Sequence, residues 1–162
     1  LAFLNRILYK HGVYDRWEGV HVTVPRTLVV ATDYFDRFII ENGLQYVINS
    51  DFSDEEILSE FVSSRLPQDL TDSLRVFVNS VEGPYAVRSS SKLEDSYYQP
   101  FAGVYSTYMI PSASNPDQQV RLLAKAIKSV FASVYYTSSR GYITATANVI
   151  SEEKMAIVIQ QI

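Results

Sequence analysis

Arg88 sits at the head of an unusually polar stretch. Three consecutive hydroxyls follow it (Ser89, Ser90 and Ser91), then the adjacent carboxylates Glu94 and Asp95, then Gly103 and Thr107. A planar guanidinium can grip two phosphate oxygens at once, and neighbouring hydroxyls can donate beside it. A glycine lets backbone N–H groups approach a ligand closely or takes a positive φ. Together these are the groups a polyphosphate needs. The same residues also suit an ordinary surface loop in which Arg88 pairs with Glu94 or Asp95, so residue types alone leave both readings open.

Apolar elements on either side must hold that stretch in place. Tyr85 to Ser89 reads as a short strand and Gly103 to Ile110 as another. Thr107 lies an even number of residues beyond Gly103, which puts both on one strand face. Upstream, residues 1–11 read as a helix ended by Gly12. His21 to Val30 reads as a strand with Pro25 marking an edge. Thr32 is placed to cap a helix carrying Phe35, Phe38 and Ile39, ended by Gly43. Ser53 and Glu56 form a capping-box pattern before Ile57, Leu58 and Phe61. A further helix follows Pro67 and stops at Gly83-Pro84. Downstream, Val120, Leu123, Ile127, Val130, Phe131 and Val134 recur on one stripe of a helix from Asn115 to about Tyr136. A second helix is expected over 137–147, with Gly141 weakening it. Lys154 to Ile162 reads as a buried strand. There are no internal repeats, so one α/β domain, a mixed sheet with helices, is the economical expectation.

The spacing within the polar stretch carries a resemblance. Ala86-Val87-Arg88-Ser89-Ser90, three residues, Glu94-Asp95, five residues, Phe101-Ala102-Gly103 and Thr107 fall in register with a known signature. It resembles that of the nucleotide-binding domain of the pyruvate phosphate dikinase and phosphoenolpyruvate synthase family. Val24-Pro25 before Leu28-Val29-Val30, and Met155 to Gln160 near the far end, resemble the family's flanking strands.

The resemblance implies the first lobe of an ATP-grasp domain over residues 1–162. A Gly- and Lys-containing phosphate loop would precede it, and a second lobe would follow with the magnesium-binding acids. By the same resemblance Arg88 is catalytic and binds ATP, with Ser89, Gly103, Thr107 and Gln160 also at the nucleotide and Glu94 and Asp95 supporting the loop. The parent would bind Mg-ATP and pass the β-phosphoryl group to a histidine of a separate domain, then to pyruvate or another acceptor such as an antibiotic hydroxyl or a glucan. The fragment alone would be inactive. The chain departs from the pattern at Pro100 (usually Ser), at Val104, Tyr105 and Ser106 (usually polar), and at Thr27 (usually Gly). These departures, with the Tyr97-Tyr98 pair, motivate the alternative of a non-catalytic nucleotide-sensing or protein-docking module of a multidomain regulator.

Bulk properties narrow the classes further. A net charge of −4 argues against a nucleic-acid partner, which would draw on a basic face. No apolar run approaches the ~20 residues of a membrane span, and a cytoplasmic location is expected. The absence of cysteine excludes disulfides, thiol nucleophiles and zinc–cysteine sites. No Gly-x-Ser-x-Gly elbow supports a serine hydrolase. Adjacent Glu94 and Asp95, with no third ligand at suitable spacing, do not make a magnesium site, so no metal ligand is expected within this stretch. His11 and His21 read as structural.

Overall fold

Four short strands form one sheet in the computed structural model, which describes residues 2–91, 105–145 and 153–162. They are β1 (Thr27–Val30), β2 (Tyr85–Ser91), β3 (Thr107–Ile110) and β4 (Met155–Gln161), in the spatial order β1-β4-β2-β3. Every pairing is antiparallel. The helices are α1 (Ala2–Lys10), α2 (Thr32–Glu41), the single turn α3 (Gln45–Ile48), α4 (Asp54–Ser63), α5 (Gln68–Ser80), α6 (Pro116–Ser133) and α7 (Thr137–Ala145). The mixed α/β class expected from the sequence is the class observed. No described helix is long and apolar enough to cross a membrane.

Period-two alternation divides the sheet into two unlike faces. Val30, Tyr85, Val87, Ile110, Met155, Ile157 and Ile159 point to one side and are buried. There they meet α6, whose stripe of Val120, Leu123, Ile127, Val130 and Phe131 is also buried. Helices α4 and α5 flank α6, and α2 lies against β4. An aromatic cluster locks these helices together. The Phe131 ring meets Phe35 edge-on at 5.0 Å and Phe38 at 5.6 Å, and Phe61 bridges Phe38 and Tyr135 at 5.6 and 5.7 Å. Such pairs add to the burial of their area.

Local signals explain most element ends. Ser53 accepts from the Glu56 N–H at 3.3 Å while Glu56 accepts from the Ser53 N–H at 2.8 Å, the reciprocal box read from the sequence. Asn115 caps α6 by accepting from the Gln118 N–H at 2.8 Å. At the C-terminal end of α4, Lys128 donates to the carbonyls of Val62 and Ser64, and burial pulls its ammonium below the usual lysine range.

Several expected boundaries are corrected. The first strand starts at Thr27 rather than His21, with the Gln161 N–H donating to the Arg26 carbonyl (2.9 Å) just ahead of it. Earlier residues turn instead, with Trp17 bridging Val20. Pro25 falls on the parity whose N–H would face away from β4, so it removes no ladder bond from this edge strand. Ala31, not Thr32, is the N-cap of α2, and no side chain caps it. The α6 helix ends at Ser133, where the bonds of Val134, Tyr135 and Tyr136 tighten to the i−3 pattern. Expectations that rest on residues 92–104 and 146–152 lie outside the described residues.

Candidate functional site

The second face of the sheet carries the polar groups. Strand β2 pairs Arg88 with Thr107 on β3 and with Val158 on β4, and Val158 pairs in turn with Val29. The next row on the same face is Thr27, Gln160, Ala86 and Met109. Ser90 opposite Ala156 forms a third. Arg88 and Thr107 are both exposed, as are Val29 (58%) and Met109 (66%). This open face lies opposite the helix-packed core.

Arg88 and Thr107 are directly opposed, which brings their Cβ atoms to about 4.5–5.5 Å. Gln160 is the diagonal neighbour of Arg88, at about 7–8 Å between backbones. Three of the residues singled out in the sequence, Arg88, Thr107 and Gln160, therefore share one surface. Ser89 does not share it. Alternation turns its side chain to the helix side, and Ser90 is the hydroxyl beside Arg88 on the open face. Among the described residues Arg88 makes no side-chain hydrogen bond or ion pair. Gly103, Glu94 and Asp95 lie outside the described residues.

Below the face, buried polar contacts fix where β3 and β4 begin. The Tyr105 hydroxyl donates to Glu153 Oε1 at 3.1 Å, and both residues are only 5% exposed. The Ser106 N–H donates to Ser133 Oγ at 3.3 Å. Thr107 is thus held by its immediate neighbours in sequence rather than by its own side chain. Neither Glu153 nor Ser133 stands out in the sequence, since a buried carboxylate just before a strand looks like any surface acid until its phenol partner is in place.

Chemically, the open face offers a guanidinium, hydroxyls and an amide. None of its described residues is a carboxylate, and no cluster of three His, Asp or Glu side chains among the described residues could hold a metal ion. That donor set suits an anion rather than a divalent cation.

Residues 8–162 match the family model for the AMP/ATP-binding domain of pyruvate phosphate dikinase. The chain belongs to this family. The dikinase match covers Thr27, Arg88, Ser89, Thr107 and Gln160 alike, so the face described above lies wholly inside the AMP/ATP-binding domain. The chain is also 34% identical over 156 residues to a Bacillus subtilis (strain 168) protein described as the uncharacterized phosphotransferase YvkC. That alignment takes in 94% of this dikinase-family chain and 16% of the relative, so the chain spans about a sixth of the relative's length.

Proposed function

We propose that the open sheet face is the nucleotide-binding side of an ATP-grasp first lobe, in a parent enzyme resembling pyruvate phosphate dikinase or phosphoenolpyruvate synthase. The observation that carries this reading is the convergence of Arg88, Thr107 and Gln160 on one exposed surface, within a span that matches an AMP/ATP-binding domain. Arg88 acts as the catalytic cation. It takes phosphate oxygens in a bidentate grip and offsets charge that builds as the phosphoryl group moves. Thr107 and Ser90 donate hydroxyls beside it, Ser89 supports the strand from the opposite face, and Gln160 lines the cleft two residues along. Gly103 covers the phosphates, while Glu94 and Asp95 brace the loop.

ATP is the cofactor in this reading. Magnesium, when bound, would screen the phosphates, and its ligands come from the second lobe. The parent passes the β-phosphoryl group to a histidine on another domain and from there to pyruvate or another acceptor, and the lobe by itself does not turn over. The parent is cytoplasmic.

Calorimetric titration of Mg-ATP into the full-length protein tests the assignment. Binding in the micromolar range is expected, and Arg88→Ala should weaken it about tenfold or more, equivalent to about 1.4 kcal/mol. A second reading, a nucleotide-sensing or protein-docking module, is favoured by exposed Val29 and Met109 on the same face. Absence of any heat with a folded protein would leave that second reading in the lead.

A further inference from the structure

Thr27 stands where the resembled family usually has a glycine, and its hydroxyl is not idle. Its Oγ1 donates to the Pro25 carbonyl at 2.9 Å. The same oxygen accepts from Gln160 Nε2 in a long contact of 3.5 Å. The two residues oppose each other in the β1–β4 register at a pair that exchanges no backbone bonds, since Gln161 and Arg26 form the bonded rung next to it. Such pairs bring side chains closest together.

The order of donors settles which way the amide points. A threonine hydroxyl has one proton, and here the Pro25 carbonyl takes it. The oxygen can then only accept, so the Gln160 amide must turn its NH2 toward Thr27 and its carbonyl away. Among the described residues Gln160 Oε1 has no hydrogen-bond partner. It is an acceptor left on the open face, one row from Arg88 and Thr107 along the strands, about 7 Å away.

We propose that Thr27 is a positioning residue which, through the chain from Pro25 to Thr27 to Gln160, fixes an outward amide carbonyl that selects a nucleotide base bearing an exocyclic amino donor. The inference rests on the nucleotide reading above and adds to it the residue that orients the Gln160 amide toward the base. With phosphates at the Arg88 row, the base extends toward the row of Gln160, Ala86 and Met109. A 6-amino purine donates to the Gln160 carbonyl. A 6-oxo purine sets an oxygen against it, and the amide can reverse only if Thr27 gives up its bond to Pro25. The selectivity supplied by the relay is therefore that of about one neutral hydrogen bond, about threefold to tenfold.

The test compares Mg-ATP with Mg-ITP, which differ at that group, by calorimetry on the full-length protein and its Thr27→Val and Thr27→Ser variants. Valine keeps the shape and suits a strand, while serine keeps the hydroxyl. Expected is a preference for ATP that Thr27→Ser retains and that Thr27→Val reduces by about threefold to tenfold. If ATP binds in an Arg88-dependent manner but Thr27→Val leaves the ATP-to-ITP ratio unchanged, or weakens both nucleotides equally, the relay is refuted and the nucleotide site stands. If neither nucleotide binds the folded wild-type protein, the site assignment itself fails and the relay with it.

Discussion

At the scale of single residues, strong ionic contacts lie away from the sheet face. Arg37 on α2 makes a bidentate bridge to Asp69 on α5 (2.8 and 3.0 Å), and its guanidinium also stacks over Tyr34. Tyr34 donates to the same carboxylate at 3.0 Å. The Arg37 bonds above all, with help from Tyr34, hold the Asp69 carboxyl down from 3.8 to about 2. A carboxyl whose folded value is depressed contributes stability that is present above 3.8 and lost as pH falls through about 2. Asp69→Asn should therefore flatten the acid limb of the stability curve in that window, with little change in the slope above it. Thermal melts between pH 2 and 6 would read this out. The difference should shrink in high salt, because the pair is about half exposed and screened. An unaltered acid limb would show that the bridge contributes nothing. Arg37 and Asp69 are each unremarkable in the sequence, being 32 residues apart on different helices. By contrast Arg88, Thr107 and Gln160 were singled out in the sequence by the resemblance, and the strand register is what sets them on one face. Ser89 and Ser90 show the limit of that reading. Both belong to one run of hydroxyls, and alternation along β2 sets Ser90, not Ser89, beside Arg88.

At the scale of elements, what the sequence revealed depended on how local the cause was. The box of Ser53 and Glu56 is written within four residues, and it formed as read. Ser53→Ala should cost about 1 kcal/mol, an expected fall in Tm of about 2–4 °C, whereas Ser53→Asp should preserve most of the stability. Differential scanning calorimetry of the two variants checks the order, and equal melting temperatures for all three proteins would remove the cap's role. The start of α7 has a distant cause. Asp54 accepts from both the N–H and the hydroxyl of Thr137, 83 residues away. Arg140 then closes the turn by donating to the carbonyls of Val47, Ser50 and Tyr135. No window of sequence contains those partners. The apolar alternation from Val20 to Val24 misled for the complementary reason, since a strand needs a neighbour and none of the described strands pairs with those residues.

At the scale of the whole molecule, the sheet order has a consequence for the timing of synthesis. Strand β4 lies between β1 and β2, yet it is the last of the described strands in sequence, and Gln160 meets Thr27 across 133 residues. Until β4 has been made, β1 lacks its one described partner and β2 can pair, among the described strands, only with β3. A nascent chain therefore holds a half-made sheet with an open gap while the elements ahead of β4 are being made, and closure waits on a long-range step of the kind that slows folding. Nascent chains arrested before Met155 leaves the exit tunnel should remain sensitive to protease, and those arrested after β4 and Ile162 have emerged should become resistant. Resistance in the shorter chains would show that the helices and the β2–β3 pair hold together without the keystone. The strand that brings Gln160 to the open face is thus also the one that decides when there is a folded face at all.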